Sequence, residues 1–244
     1  MVEFTIIIPV YNEEENLLQV EKALLQFIPT CQKSTCVLFV NDGSKDNSEN
    51  IIQAICSRNS NFYFISFKKN EGLSSALKAG IDWAESPLLG YMDSDLQTDP
   101  NDFNILLEQI EFYDLVNGIR MGRKDTVLKK VSSKFANRFR RLFTKDTMLD
   151  TGCPLKVMKT TVAQNIPMFK GLHRFLPAMV LLQGGKIHQI PVRHRARRAG
   201  KTNFGISNRI FGPLITCFAY LWMKRNYIQY EITKKSGPRT SKLL

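Results

Sequence analysis

Two carboxylates follow a short apolar run near the middle of the chain, and their types and spacing suit metal chemistry. Asp93 and Asp95 stand two positions apart, directly after the apolar residues 88–92, and Gln97 follows them. Because regular alternation stops where a strand ends, both carboxylates can converge on one ligand. Oxygen donors of this kind suit a hard cation such as Mg²⁺ or Mn²⁺, which would itself hold substrate phosphates. The spacing alone equally fits a solvated turn that caps a helix starting near Pro100.

The segments on either side predict a mostly parallel α/β sheet, because short apolar runs alternate with helical stretches along the chain. The predicted strands are residues 5–10, 36–40, 62–67, 88–92, 115–118 and 186–192. The predicted helices are residues 73–84, 101–112 and 175–183, with two more that end near Phe27 and Cys56. Ligands bind such sheets at the carboxyl ends of the strands. We therefore expect three polar loops, at residues 11–13, 41–44 and 93–97, to share one crevice.

The glycine-rich motifs that usually hold nucleotide phosphates do not occur in this sequence. No GxGxxG follows the first strand and no GxxxxGK[ST] is present, which argues against a dinucleotide-binding site and against a P-loop. A bound nucleotide would then be held by carboxylates on its base and ribose, and by a metal on its diphosphate. Asp42 suits the first task, because a carboxylate accepts hydrogen bonds from a base N–H or a ribose hydroxyl.

Charge is divided unevenly between the two halves of the chain. Residues 1–119 carry 18 acidic and 7 basic side chains, whereas residues 120–244 carry 4 and 27. This division argues against a uniformly basic nucleic-acid binder and favours a metal site in one half and phosphate or membrane contact in the other. Five cysteines without a CxxC pair indicate reduced thiols, not a disulfide frame or a zinc site. Because the N-terminus shows no secretion signal, we expect a cytoplasmic location.

Four ordered motifs connect the chain to a known family. They are IIIPVYNEEENL at residues 6–17, VNDGSKDNS at 40–48, NEGLSSALKAGI at 70–81 and YMDSDLQTDP at 91–100. In order and spacing they resemble the family 2 glycosyltransferases of the GT-A fold. Within that family the chain is most similar to the dolichol-phosphate mannosyltransferases and their bacterial polyprenyl-phosphate relatives, over roughly residues 4–205. The resemblance implies a Rossmann-like, mostly parallel sheet with helices on both faces.

The resemblance also implies a set of site residues. Side chains expected to contact the nucleotide-sugar are Pro9, Tyr11, Glu13, Asp42, Asp93, Ser94, Lys156 and Lys201. Residues expected to stabilise the departing diphosphate, and so to act in catalysis, are Asp95, Arg120 and Arg197. The expected metal ligands, for Mg²⁺ or Mn²⁺, are Asp93, Asp95 and Gln97.

The second half of the chain continues the resemblance. Residues 150–156, DTGCPLK, are similar to a family segment beside the acceptor, so Asp150 either positions the acceptor or caps the adjacent turn. Residues 194–205 resemble a mobile family loop over the diphosphates, which we expect to become ordered when donor and metal bind. Asn203 departs from the family pattern, where lysine is usual, so either Lys201 supplies that charge or the phosphate contact is weaker. Basic and apolar residues interleave at helical spacing over 129–143, which fits a solvated face or a helix near anionic lipid head groups.

The most apolar run of the chain, residues 210–223, predicts a helix at a membrane interface. It is 14 residues long and contains Gly212-Pro213, so it is too short and too interrupted for a free-standing transmembrane helix. Trp222 is amphipathic, and Lys224 follows the run, as is typical of interfacial helices. The alternative is a helix of the protein core. We therefore expect a catalytic domain at 1–205, a membrane-interface segment at 206–232 and a disordered basic tail at 233–244.

These observations predict a metal-dependent, inverting glycosyltransferase that is peripheral or monotopic on the cytoplasmic membrane face. It would move a sugar from a GDP- or UDP-sugar to a polyprenyl phosphate, dolichyl or undecaprenyl, without binding nucleic acid. The acceptor phosphate is already an anion, so positioning and stabilisation of the leaving diphosphate would replace a strong general base. Three alternatives stay open. They are transfer to another cell-envelope acceptor, a nucleotidyltransferase (although the loop after the first strand is acidic), and a non-catalytic lipid-binding or scaffolding protein.

Overall fold

The structure, a computed structural model, describes residues 1–121, 141, 143–144, 146–195, 206–228 and 234, and within 206–214 only the backbone. Seven strands of this part form one sheet: β1 Phe4–Val10, β2 Thr35–Asn41, β3 Phe62–Ser66, β4 Leu88–Tyr91, β5 Leu115–Met121, β6 Lys156–Lys159 and β7 Ile187–Arg193. Their order across the sheet is β3-β2-β1-β4-β6-β5-β7. The prediction of an α/β fold is confirmed.

One strand of the sheet runs against the others. β1 pairs in parallel with β2 and β4, β2 with β3, and β5 with β7, whereas β6 is antiparallel to both of its neighbours, β4 and β5. β6 was not predicted from the sequence, because a run of four residues, Lys-Val-Met-Lys, is too short and too polar at its ends to stand out as a strand. The insertion of β6 separates β5 and β7 from the first four strands.

Helices cover both faces of the sheet. They are α1 Glu14–Phe27, α2 Ser48–Arg58, α3 Leu73–Trp83, α4 Phe103–Leu107, α5 Thr160–Gln164, α6 Leu176–Leu182 and α7 Ile206–Asn226. Short 3₁₀ turns occupy Ile28–Thr30, Pro100–Asp102 and Leu172–Phe175. The helix predicted at 101–112 was too long: a 3₁₀ turn leads into α4, which ends at Leu107, and turns follow. The predicted basic helix at 129–143 lies almost entirely outside the described residues.

Alternation along β1 divides the core into two layers. Ile6 and Ile8 pack with α1, α2 and α4 on one face, whereas Ile7 packs with α3, α6 and α7 on the other. Gly80 of α3 allows close approach on the second face, because a Cβ there would lie 2.6 Å from the Ile7 side chain. Both faces of the central strands are therefore covered, which explains their continuous apolar sequence.

The parallel register brings the polar segments after β1, β2 and β4 to one edge of the sheet. Val10 pairs with Asn41, and Ile7 pairs with Tyr91, so the three strands end at neighbouring positions. In the described part of the chain, no helix combines the length and apolar character needed to cross a membrane. The expected domain boundaries at 205 and 232 stay predictions, and nearly all of the tail lies outside the described residues.

Candidate active site

The loops after β1 and β2 are locked to each other by hydrogen bonds. The Asn12 backbone N–H donates to Ser44 Oγ at 3.1 Å, and the Lys45 N–H donates to Asn12 Oδ1 at 2.8 Å. The Glu13 N–H donates to Ser48 Oγ at 3.0 Å. Asn12 has a φ of 54°, a conformation that asparagine tolerates better than most residues. Two of the three loops expected to share a crevice therefore form one rigid wall.

The residues predicted to contact the nucleotide lie along this wall. Pro9, Tyr11 and Glu13 are all half-buried at the carboxyl end of β1. Asn16 donates a 2.6 Å hydrogen bond to Glu13 Oε2, which orients that carboxylate from the first turn of α1. Their contact with a nucleotide stays a prediction.

Asp42 has a structural role that is visible in its hydrogen bonds. It is 4% exposed, and its carboxylate accepts the backbone N–H groups of Glu71 at 2.7 Å and Gly72 at 2.9 Å, and the Asn70 side-chain amide at 3.0 Å. Burial raises the pKa of Asp42 although these hydrogen bonds oppose the rise. The following residue, Gly43, has a φ of 65°, and a Cβ there would meet the Lys69 backbone at 2.3 Å. Asp42 thus joins the end of β2 to the start of α3, and its predicted nucleotide contact remains open.

The two central carboxylates lie close together after β4. Tyr91 donates its hydroxyl to Asp93 Oδ1 at 2.7 Å, and the Gln97 N–H donates to Asp95 Oδ1 at 3.1 Å. Burial, and then the charge of Asp95, raise the pKa of Asp93 to about 6. Ser94 and Asp95 are each 5% exposed. The turn therefore concentrates negative charge in a poorly solvated place.

This donor set fits a hard divalent cation. Carboxylate oxygens that repel each other are stabilised by a cation between them, and the amide oxygen of Gln97 adds a further hard donor. Among the described residues, no three or more His, Cys, Asp or Glu side chains are grouped so that they could hold a metal ion, so the two carboxylates would need Gln97 and substrate oxygens as further ligands. Mg²⁺ is commonly held in this way, by one or two carboxylates together with substrate phosphates.

Arg120 and Asp150 form a bidentate ion pair at the end of β5. Arg120 Nε and Nη2 each donate to the Asp150 carboxylate at 2.8 Å, and both side chains are less than one-fifth exposed. Burial opposes the charge of Asp150, but the Arg120 guanidinium holds its pKa below the usual value. Gly152 lies against the pair, because a Cβ there would be 3.1 Å from Arg120 Nη2. Two residues that the sequence analysis assigned separately to donor and acceptor are thus partners.

Lys156 is a buried lysine whose ammonium is bound by backbone carbonyl groups. It is 2% exposed, and its ammonium donates to the carbonyl oxygens of Thr151 and Cys153. It also lies 6.0 Å from the ring centroid of Tyr91, because β6 pairs Lys156 with that residue. Burial lowers the pKa of Lys156. These contacts show that Lys156 positions the turn at 150–153, and its predicted contact with the nucleotide-sugar stays untested.

His173 is a residue of this region to which the sequence analysis gave no function. Its Nδ1 hydrogen-bonds Ser74 Oγ at 2.8 Å, and Ser74 Oγ also accepts the Gly171 N–H. Burial, with the charges of Arg174 and Lys156, lowers the pKa of His173 to about 3. The imidazole is therefore neutral at neutral pH and links α3 to the 3₁₀ turn at Leu172–Phe175. The only sequence feature that could have indicated this role is the position of His173 just before the predicted helix at 175–183.

Comparison with known families shows which family the chain belongs to. Residues 5–166 match the sequence profile of Glycosyl transferase family 2. The chain belongs to this family. Family membership argues against a nucleotidyltransferase, and the metal and donor contacts of Asp93 and Asp95 after β4 stay predictions.

A curated relative and solved structures agree with this membership. Dodecaprenyl-phosphate galacturonate synthase of Rhizobium johnstonii is 28% identical over 229 residues, which are 91% of this chain and 68% of that protein. Glucosyl-3-phosphoglycerate synthase of Mycobacterium tuberculosis, in complex with Mn²⁺, UDP-glucose and phosphoglyceric acid, is 15% identical, with a TM-score of 0.70 over 93% of this chain and 81% of that one. A complex of the same enzyme with Mg²⁺ and UDP is 17% identical, with a TM-score of 0.67 over 88% and 79%. The GT-A fold is thereby confirmed.

The C-terminal helix of this family 2 glycosyltransferase has two apolar faces. Cys217 and Tyr220 are buried against the second core layer, whereas Ile215, Phe218 and Trp222 are 70%, 61% and 68% exposed. The helix is continuous through Gly212-Pro213 and ends with exposed Lys224 and Arg225. The buried face agrees with the core interpretation of the sequence, and contact of the exposed face with a membrane stays a prediction. Arg197 and Lys201, predicted to contact the donor, lie outside the described residues.

Proposed function

We propose that this protein is an inverting glycosyltransferase that transfers a sugar from a GDP- or UDP-sugar to a polyprenyl phosphate, with Mg²⁺ or Mn²⁺ as cofactor. The observation that carries the proposal is the carboxylate pair Asp93–Asp95 at the carboxyl end of β4. The neighbouring strands β1 and β2 end in loops that are hydrogen-bonded to each other. The carboxyl ends of the strands are the place where an α/β sheet binds ligands. Membership of family 2 supports glycosyl transfer at this site.

The chain's own residues would act mainly by positioning. A divalent cation held by Asp93, Asp95 and Gln97 would neutralise charge on the donor diphosphate. Arg120, oriented by its two hydrogen bonds to Asp150, keeps N–H groups that can donate to a phosphate oxygen. Stabilisation of charge on a leaving group is commonly the largest single contribution to catalysis. An acceptor phosphate needs no strong base because it is already ionised at neutral pH.

The acceptor part of the proposal has two supports. The relative from Rhizobium johnstonii is named for a polyprenyl phosphate and a sugar. The exposed face of α7, formed by Ile215, Phe218 and Trp222, offers an apolar surface with Lys224 and Arg225 at its end. Apolar and basic residues together suit an interface with anionic lipid. We therefore place the protein at the cytoplasmic face of a membrane as a peripheral or monotopic enzyme.

A water-soluble phosphate is a second class of acceptor that the test should include. Solved relatives are described in complex with phosphoglyceric acid, a water-soluble phosphate. A small phosphate and a polyprenyl phosphate present the same anionic group to the site, so the site alone does not separate them. Transfer to a polyprenyl phosphate would need the exposed apolar face of α7 for contact with lipid, whereas transfer to a small soluble phosphate would not.

The test is a panel of GDP- and UDP-sugars incubated with the protein, Mn²⁺ or Mg²⁺, and either polyprenyl phosphate in detergent or phosphoglyceric acid. Mass spectrometry of the lipid should show a gain of one sugar, and the anomeric proton signal should report inversion. Asp95→Asn should abolish the product, whereas Asp82→Asn, an exposed carboxylate of α3, is the matched control and should keep it. Glycosylated phosphoglycerate without a lipid product would replace the acceptor. A fully active Asp95→Asn variant would contradict the metal role of Asp95, and the absence of any glycosylated product across the panel would contradict the enzymatic proposal.

A further inference from the structure

Two more carboxylates follow the proposed metal ligands and are not part of that set. Asp99 and Asp102 are only 5% and 3% exposed. Burying a carboxylate costs free energy unless it is paired and hydrogen-bonded. Asp99 Oδ1 accepts the backbone N–H of Asn101 at 3.1 Å, which is ordinary capping of the 3₁₀ turn. Its second oxygen, and the carboxylate of Asp102, have a different kind of partner.

Those partners come from the end of β7, more than 90 residues away in sequence. Arg195 Nη2 donates to Asp99 Oδ2 at 2.6 Å. The Arg193 backbone N–H donates to Asp102 Oδ2 at 2.8 Å, and its Nε lies 3.3 Å from Asp102 Oδ1. We call these four residues, Asp99, Asp102, Arg193 and Arg195, the β7 clamp.

Backbone contacts connect the β7 clamp to the turn at residues 95–97, which contains two of the proposed metal ligands. The Arg195 N–H donates to the carbonyl oxygen of Gln97 at 2.8 Å, and Thr98 forms an antiparallel bridge with His194. Gln97 is one of the three proposed metal ligands. The end of β7 therefore holds the backbone of the residue whose side chain is expected to reach the cation.

The turn needs such support because its backbone is strained. Leu96, between the proposed ligands Asp95 and Gln97, has a φ of 53°. A left-handed conformation is unfavourable for a residue with a Cβ, because the Cβ approaches the following carbonyl oxygen too closely. Such conformations persist where the surrounding structure over-determines them. Leu96 packs against the first core layer on one side, and the clamp holds the carbonyl of Gln97 on the other.

We infer that Asp99, Asp102, Arg193 and Arg195 are positioning residues that hold the Asp95–Gln97 turn in its metal-binding shape. The inference rests on the proposed function, because it assigns the turn a metal. It differs from an ordinary structural role in one respect. Loss of the clamp should weaken metal binding in a chain that remains folded.

The first test measures Mn²⁺ affinity by calorimetry in the presence of saturating UDP. Asp99→Asn and Arg195→Gln should each weaken Mn²⁺ binding about fivefold, on the scale of coupling between residues in contact. The double variant should lose no more than either single variant, because both changes break the same pair. Arg195→Lys keeps the charge and should restore part of the affinity.

A matched pair elsewhere controls for general loss of stability. Arg58 donates to Glu21 across α1 and α2, at 2.7 Å from Nε to Oε1. The exposed fractions of the two side chains are 49% and 10%, against 53% and 7% for Arg195 and Asp99. Glu21→Gln should lower the melting temperature about as much as Asp99→Asn, yet leave Mn²⁺ affinity unchanged.

A second readout does not depend on the metal. Hydrogen exchange of a peptide covering residues 93–98 should be faster in Asp99→Asn than in wild type without metal or nucleotide, and equal to wild type in Glu21→Gln. Unchanged exchange, or Mn²⁺ affinity equal to wild type in folded Asp99→Asn, would overturn the inference. If the wild-type chain binds no Mn²⁺ but exchange still rises in Asp99→Asn, the clamp supports the turn but the turn binds no metal. That result would overturn the inference through failure of the proposed metal-dependent function.

Discussion

The exposed face of α7 makes a quantitative prediction about membrane binding. Phe218 and Trp222 are 61% and 68% exposed, and an aromatic side chain offers roughly 200 Å² of surface. Together they therefore present about 260 Å² of mainly apolar surface to solvent. At ~25 cal/mol per Å², insertion of half of this area would contribute about 3 kcal/mol, or a factor of roughly 100 in partitioning.

The perturbation is the double replacement Phe218→Ser and Trp222→Ser, measured by sedimentation with vesicles that contain anionic phospholipid. Binding should fall by about two orders of magnitude. The affinity for UDP with Mn²⁺, measured by calorimetry, should not change, because Phe218 and Trp222 are not among the residues predicted to bind the donor or the metal.

The control comes from the opposite side of the same helix. Tyr220 is 2% exposed and packs against Phe175, so Tyr220→Ser should lower the melting temperature and reduce expression of folded protein. Two results would refute the reasoning. One is vesicle binding of the double serine variant equal to wild type. The other is unfolding of that variant to the same extent as Tyr220→Ser, which would make the exposed face part of the core.

Three further predictions concern the crevice. Asp95→Asn should lower the transfer rate at least ~100-fold, the scale for loss of one key electrostatic contact, and excess chelator should abolish the wild-type rate; full activity in chelator would contradict the metal assignment. Asp42→Ala should lower the melting temperature, because three donors at the start of α3 lose their acceptor, and calorimetry should show weaker nucleoside diphosphate binding; unchanged binding would leave Asp42 a purely structural residue. The pKa of His173 falls from 6.5 to about 3 on folding, so the unfolded chain binds more protons between these values and stability is lost as pH falls below 6.5. Urea unfolding should show a loss of about 2 kcal/mol from this group between pH 7.5 and pH 5, and equal pH slopes for wild type and His173→Gln would count against the assignment.

Local features of the fold were predictable because they depend on neighbours in sequence. All six predicted strands begin within one residue of the observed positions, since buried parallel strands are continuous apolar runs bounded by polar turns. The strand-end loops and the Asp93–Asp95 pair followed from the same pattern. The predicted helix at 101–112 failed because turns after Leu107 interrupt an apolar pattern that continues to Ile110.

The amino-acid sequence by itself determined the class of fold and the strand ends at which the candidate oxygen donors Asp93 and Asp95 lie. Only the tertiary structure decided which charges are partners. Arg120 meets Asp150 from 30 residues away, and Arg195 meets Asp99 from 96 residues away. These pairs depend on the antiparallel insertion of β6 and on the position of β7 at the sheet edge, which no local pattern encodes. A buried charge is stabilised only if an opposite charge lies close to it in the folded structure. That partner can be distant in sequence, so local sequence patterns do not reveal it.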